Sequence, residues 1–308
     1  MMHNIDTREM HMKVFITGAT GWVGSAVIQE LTTAGHEVLG LVRSDDGAAL
    51  LSDRGIAVHR GELSDLEALA AGARACDGVI HTAFIHDFKD FSAAGETDRR
   101  AIEAMGAALV GTGKPLITTS GSAMLPHGRL GTENDAADPH GAAQHRTASD
   151  TLTLALAAQG VRSSLVRLPP SVHGDGDYGF APRLIDIARD KGVAAYIGEG
   201  QNRWPAVHRF DAARLYRLVL EHGVAGARYH AIAEQGIATR EIAAIISKGL
   251  GVPLASLSAE EAPAHFGFLA RFFGADCPAS SALTQQQLGW QPSGPGLIED
   301  LAQHYFRG

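Results

Sequence analysis

Along the first half of the chain, short apolar runs alternate with stretches whose apolar residues recur at helical spacing. Lys13–Thr17, Glu37–Val42, Ile56–His59, Val79–Thr82, Leu116–Thr119 and Ser163–Arg167 read as strands. Val23–Ala34, Asp45–Asp53, Asp65–Ala75, Asp98–Val110 and a long stretch, Ala142–Gln159, read as helices; Gly35 stops the first and Gly160 the last. This alternation predicts an α/β fold, a doubly wound parallel sheet with helices on both faces. From about Pro169 the pattern loosens. Helices near Pro182–Asp190, Asp211–Glu221, Thr239–Gly249 and Leu297–His304, with short strands at Ala194–Ile197 and Tyr229–Ile232, are separated by Gly/Pro joints. The expected organisation is a polar leader over residues 1–12, disordered or contributed by a start upstream of Met10 or Met12. A sheet domain over 13–168 follows, then a smaller C-terminal substrate lobe over 169–308 interleaved with the last sheet strands.

The first strand runs straight into Thr17-Gly18-Ala-Thr20-Gly21-Trp22-Val23-Gly24 and then into a helix. In that context the glycines have separate uses: a tight turn, close approach of a pyrophosphate to backbone, and close helix–strand packing. The helix N-terminus adds free N–H groups and a positive dipole for phosphate. This is the signature of a Rossmann dinucleotide site. The second strand ends Leu41-Val42-Arg43-Ser44, with no acid at its tip to bond a ribose 2′-hydroxyl. Arg43 can fork onto a 2′-phosphate and Ser44 can donate to it, so NADP is expected rather than NAD. Asp45 and Asp46 follow immediately.

Composition narrows the classes. A net charge of −8 with no basic run argues against a nucleic-acid binder. No apolar run reaches the roughly 18–20 residues of a membrane span, and the first dozen residues lack a signal peptide's apolar core. Two cysteines, Cys76 and Cys277, without CxxC spacing exclude a disulfide framework and fit a reducing, cytoplasmic setting. The 15 histidines are scattered without metal-ligand spacing, and no metal is expected.

With the glycine turn, several further segments resemble the short-chain dehydrogenase/reductase superfamily in its extended, NAD-dependent epimerase/dehydratase branch. They are Gly61-Glu-Leu63, His81-Thr-Ala83, Ser120-Gly-Ser122, Arg167-Leu-Pro-Pro-Ser-Val-His-Gly174 and Val207-His208-Arg-Phe-Asp211. The resemblance implies that Thr20 and Val23 of the glycine turn hold cofactor and that Glu62 and Leu63 flank the adenine. It implies that Thr82 and Ala83 line the cofactor groove and that Leu168, Pro169 and Ser171 lie by the nicotinamide. The superfamily's catalytic tyrosine and lysine would fall near Ala142 and Arg146. The chain has five tyrosines, the first being Tyr178, so that pair is absent and the chain looks like an atypical member. Arg146 either holds the cofactor as the lysine would or pairs with Asp150 one turn on, and both assignments stay open.

The proton must then come from elsewhere, and imidazole is the natural substitute. His173, after the Pro-Pro that borders the nicotinamide, is the expected donor; Ser120 and Arg146 complete the candidate catalytic set. Ser122, Tyr178, Arg203, Trp204 and His208 are the candidate substrate residues. The resemblance places a diphosphate-binding basic residue near Trp204, and an indole there points to a smaller or less polar substrate. Phe266, Phe268, Phe272 and Phe273 roof a pocket or form an ordinary core. The function expected is NADP(H)-dependent oxidation or reduction of a small carbonyl or alcohol. Two alternatives are a non-catalytic NADP(H) redox sensor and a nucleotide-sugar epimerase or dehydratase. By analogy the chain forms a homodimer, for which the Ala/Gly-rich stretch Ala101–Val110 allows close packing.

Overall fold

The computed structural model describes residues 11–86, 90–139 and 144–306. Its first half runs β1 (Lys13–Thr17), α1 (Trp22–Thr33), β2 (Glu37–Val42), α2 (Asp45–Ser52), β3 (Ala57–Arg60), α3 (Leu66–Arg74), β4 (Gly78–His81), α4 (Phe91–Leu109), β5 (Pro115–Gly121), α5 (Thr147–Ala155) and β6 (Arg162–Leu168). The second half runs β7 (Ser171–His173), α6 (Phe180–Lys191), β8 (Ala194–Ile197), β9 (Arg203–His208), α7 (Arg209–His222), β10 (Arg228–His230), β11 (Glu234–Ala238), α8 (Thr239–Leu250), β12 (Leu254–Leu257), α9 (Ala262–Phe266), α10 (Leu269–Phe273), α11 (Ala282–Leu288) and α12 (Leu297–Asp300). A π-helical turn, Leu301–Tyr305, continues α12.

Seven strands form one parallel sheet in the order β3-β2-β1-β4-β5-β6-β10. The central strands carry near-continuous apolar residues because helices cover both faces. On one face, α1 and α7 pack Ala26, Val27, Leu31, Leu215, Tyr216, Val219 and Leu220 against Val14, Ile16, Ile80, Ile117 and Val166. On the other, α3 and α4 bury Leu69, Ala73, Ala101, Ile102, Met105 and Leu109 against Phe15, Val79 and Leu116. The last strand, β10, comes from the C-terminal half and pairs with β6 through Leu165↔Arg228 and Arg167↔His230.

The smaller lobe has its own core of Leu184, Ile185, Trp204, Ile242, Ile246, Phe266, Leu269 and Phe273. Two little sheets frame it, β11-β9-β7 and the parallel pair β12-β8.

Several expected elements change. The long helix read over Ala142–Gln159 is, within the described residues, a 3-10 turn Gln144–Arg146, α5 and a second 3-10 turn Leu156–Gln159. The helix read from Asp98 begins seven residues earlier, at Phe91, because the Asp90 carboxylate caps the Ala93 N–H at 2.9 Å. The strand read at Tyr229–Ile232 is β10. Gly106 of α4 packs inside the chain. A Cβ at Gly106 would lie 2.5 Å from the Leu156 side chain. Among the described residues, no helix is long and apolar enough to cross a membrane.

Candidate active site

One groove of about 1030 Å3 runs across the carboxyl ends of β1, β2, β4, β5 and β6 and under the smaller lobe. That is where ligands bind in open parallel sheets, since the strand-to-helix turns converge there. The glycine turn forms its floor. Gly18 has φ +71°, and a Cβ there would lie 2.8 Å from the Ala83 amide nitrogen. A Cβ at Gly24 would overlap the Gly18 carbonyl oxygen. Gly21 is the N-cap of α1 and supplies no side-chain acceptor, so the first N–H groups of the helix face the groove uncapped. Trp22 walls this end: its indole N–H donates to the Val172 carbonyl at 2.7 Å, and the Arg209 guanidinium stacks 3.8 Å from its ring centre. Tyr178 packs edge-on against the same indole at 5.8 Å.

At the tip of β2, Arg43 lies exposed on the groove wall, and among the described residues it has no acidic partner. Asp45 is engaged by Arg60 at 2.5 Å and Asp46 begins α2. Glu62 and Leu63 line the wall beyond, with the Glu62 carboxylate accepting from the Ser64 hydroxyl at 2.6 Å.

Behind the wall is a buried polar chain. His81 Nε2 donates to Asp98 at 3.1 Å, which leaves Nδ1 to accept from the Thr17 hydroxyl at 2.6 Å. Burial raises the Asp98 carboxyl, but the His81 hydrogen bond and the Arg146 charge outweigh it and hold it below the usual range. Arg146 lies 3.9 Å from Asp98, donates to the Thr119 carbonyl at 2.6 Å and stacks 4.1 Å over the Phe84 ring. Its position is thus fixed from three sides on the groove wall. Asp150, the alternative partner for Arg146, faces Arg167 instead at 3.7 Å. The position near Ala142, where the superfamily's tyrosine would fall, lies outside the described residues.

The groove gathers Gly18, Thr20, Gly21, Trp22, Val23, Gly24, Arg43, Glu62, Leu63, Thr82, Ala83, Ser120, Arg146, Leu168, Pro169, Ser171, Tyr178 and Trp204. Five expected residues stand elsewhere. His173 is fully buried in β7, where Nδ1 pairs with Asp300 at 2.7 Å under α12, so it does not reach the groove. Burial, set against the Asp300 carboxylate, keeps it below its ordinary value. His208, its register partner on β9, packs edge-on against the His173 ring at 5.6 Å. Ser122 is buried behind Gly121 and Ala123, which line the groove in its place. Arg203 is clasped by Asp276 at 2.9 Å on the outer surface. Ser44 is the N-cap of α2, its hydroxyl accepting from Gly47 N at 3.2 Å.

Besides Phe272 of the aromatic cluster, the structure adds lining residues that the sequence reading did not select. Phe84, Ile85 and His86 follow β4; Phe180 and Arg183 open α6; Arg271 and Phe272 belong to α10. Phe272 stacks on Phe180 at 5.7 Å while Phe266 and Phe273 fill the lobe core, so the aromatic cluster divides between pocket and core. Both thiols are buried, and burial pushes Cys277 up to about 12 and Cys76 up to about 11.

Comparison with known proteins agrees with this geometry. The model of the NAD dependent epimerase/dehydratase family matches residues 14–233. An uncharacterised protein of Schizosaccharomyces pombe is 52% identical over 94% of this chain and 98% of its own length. A ketoreductase of Stigmatella aurantiaca is 26% identical over 71% of this chain and 67% of its own. The crystal structure of dTDP-glucose 4,6-dehydratase from Streptomyces venezuelae, solved with NAD bound, superposes with a TM-score of 0.76 at 21% identity. It covers 96% of each chain, a likeness of fold. Family match, sheet order and the glycine turn agree: the chain belongs to the NAD-dependent epimerase/dehydratase family.

Proposed function

We propose that the protein is an NADP(H)-dependent oxidoreductase of a small carbonyl or alcohol compound, with His86 exchanging the proton. The observation that carries this reading is one continuous groove in which a bare helix N-terminus, a basic strand tip and an imidazole meet. The cradle fits a dinucleotide: a Cβ at Gly18 would collide with Ala83 and one at Gly24 with the Gly18 carbonyl, so only glycine lets the turn close tightly enough to bring the α1 N-terminus to the groove. The Gly18–Gly24 backbone would hold the pyrophosphate, Glu62 and Leu63 the adenine, Arg43 the 2′-phosphate and Arg146 the nicotinamide-side ribose. A bound nicotinamide supplies or takes the hydride.

The chain's own part is to orient substrate and move a proton. His86 lies against Phe84, ring centres 5.4 Å apart, and Phe84 in turn carries Arg146 on its face. Burial, then the charges of Arg146 and Arg183, keep the His86 imidazole below its ordinary value, so it is a neutral acceptor near neutral pH. In the oxidative direction it takes the hydroxyl proton of the substrate; in reduction it returns that proton to the carbonyl oxygen. The relative named a ketoreductase supports a carbonyl substrate.

The test is a fluorescence titration of the protein with NADPH and NADH beside a carbonyl-reduction screen on the same sample. NADPH binding with consumption is the expected result, and Arg43→Asp should weaken NADPH at least about tenfold while leaving NADH nearly unchanged. Equal losses for the two cofactors would sink the NADP assignment. Binding without consumption would make the protein a redox sensor.

A further inference from the structure

The groove's charge is opposite to that of the chain around it. The chain carries −8 overall, yet the charged lining residues are Arg43, Arg146, Arg183 and Arg271 against Glu62 and Asp177. Both acids are engaged: Glu62 by Ser64, and Asp177 by the Gly179 N–H at 2.7 Å and the Tyr305 hydroxyl at 2.8 Å. Burial pushes the Asp177 carboxyl up, towards its neutral form. Arg43 follows the tip of β2, and Arg146, in the turn before α5, reaches the Thr119 carbonyl of β5. The other two cations belong to helices of the lobe, Arg183 to α6 and Arg271 to α10.

Arg271 sits on α10 beside Phe272, whose ring stacks on Phe180. Arg183 is one helical turn after Phe180 on α6. Its guanidinium lies 5.8 Å from the Phe268 ring, and its charge is felt across the groove at His86. Several exposed arginines elsewhere are paired, Arg60 with Asp45, Arg74 with Glu67, Arg189 with Asp186 and Arg203 with Asp276, while the exposed Arg54, Arg100 and Arg240 are not part of the groove lining. Arg271 has no such partner among the described residues, although it faces a cavity. The wall around it is Phe180, Trp204, Phe272 and Cys277, and the indole N–H of Trp204 is already spent on the Phe272 carbonyl at 3.0 Å. An apolar body with one anionic end would suit both these apolar side chains and the cation.

We infer that the substrate is a carbonyl compound with an apolar, aromatic-sized body and a carboxylate, the carboxylate held by Arg271 with Arg183 behind it. This rests on the oxidoreductase reading above and names its substrate class. A guanidinium takes a carboxylate through two parallel N–H···O bonds, which fixes that end of the molecule.

The test uses two non-reacting ligands of one shape, 3-phenylpropanoate and 3-phenylpropanamide, titrated calorimetrically into the protein with and without NADP+. Phenyl phosphate serves as a third ligand. The carboxylate should bind at least about tenfold tighter than the amide. Arg271→Gln should erase that difference and Arg271→Lys restore part of it, with NADPH affinity the same in all three proteins. Equal binding of acid and amide, binding of neither, or an unchanged preference in Arg271→Gln overturns the inference, and so does tighter binding of phenyl phosphate. The two readings fail separately. Loss of NADPH binding condemns the oxidoreductase reading, whereas NADPH bound and consumed without a carboxylate preference condemns only the substrate class.

Discussion

Two imidazoles, His86 and His173, divide the roles that the sequence offered to one of them. His173 follows a Pro-Pro loop at the end of a sheet strand, where ligands usually bind, and that position made it the natural proton donor. The misreading is local. Ser171-Val-His173 continues as a strand, pairs with β9 in parallel and turns the imidazole into the lobe, against Asp300. A β-branched residue beside a histidine after Pro-Pro was the available signal for a strand, but three residues are too few to show alternation. His86 was hidden because it follows β4 in a segment without periodicity. The two should separate on substitution. His86→Gln should cut turnover about 10²- to 10⁴-fold with NADPH affinity kept. His173→Phe should cost about 1–3 kcal/mol of stability, because Asp300 is 1% exposed and loses its donor, with turnover per folded molecule unchanged. The pH dependence has a definite sign. A histidine held below its ordinary value of 6.5 binds fewer protons folded than unfolded, so its contribution is complete above about pH 6.5. It is lost as pH falls below that. His173→Asn, which keeps a donor but cannot titrate, should flatten this acid limb in thermal melts; an unchanged limb would assign it to other groups.

Among the elements, the β1 turn and α1 carry the most function per residue and were the most legible. A buried strand, three spaced glycines and an amphipathic helix leave few alternatives, because each glycine answers a separate steric demand. Gly24 tests this. It lies inside α1, where alanine normally favours a helix by about 0.5–1 kcal/mol over glycine. Here the added methyl would collide with the Gly18 carbonyl and come within 3.0 Å of the Thr82 hydroxyl. Gly24→Ala should therefore lose NADPH affinity by at least about tenfold, the cost of a small misfit in the cradle. Its far-ultraviolet dichroism should stay near that of the parent, and full affinity would show that the turn relaxes freely. The lobe was far less legible for a physical reason: α9 and α10 have five residues each and β7 has three. Segments this short complete barely one period, so neither helical nor strand spacing emerges from them. Arg271 and Phe272, which shape the substrate wall, sit on one such element, and Arg183 lies on the legible α6 but without a signal that it faces the groove. Their place in the groove follows from packing between lobes, which no local pattern records.

For the whole molecule, the boundary at residue 168 separates sequence patterns but cuts through the packed structure. A chain ending there would keep six of the seven sheet strands yet lose β10, leaving the β6 edge unpaired. It would also lose α7, whose Leu215, Tyr216, Val219 and Leu220 are all fully buried against α1 and the sheet. Four such side chains contribute roughly 6–12 kcal/mol at about 1.5–3 kcal/mol each. That is comparable with the entire stability of an ordinary domain, about 5–15 kcal/mol, so the fragment should not fold alone. The lobe is tied back in turn: the Trp22 indole donates to the Val172 carbonyl at 2.7 Å, and the Thr284 hydroxyl donates to the Glu133 carboxylate at 2.7 Å. Substrate wall and cofactor floor therefore belong to one cooperative unit. Residues 1–168 expressed alone should show no cooperative thermal transition and no NADPH binding, while the full chain unfolds in a single step with coincident fluorescence and dichroism. A fragment that melts cooperatively, or a full chain with two resolved transitions, would show the sheet domain to be autonomous. The groove would then be a joint between two independently stable bodies, and the Arg271 wall would be free to move against Arg43 and Arg146.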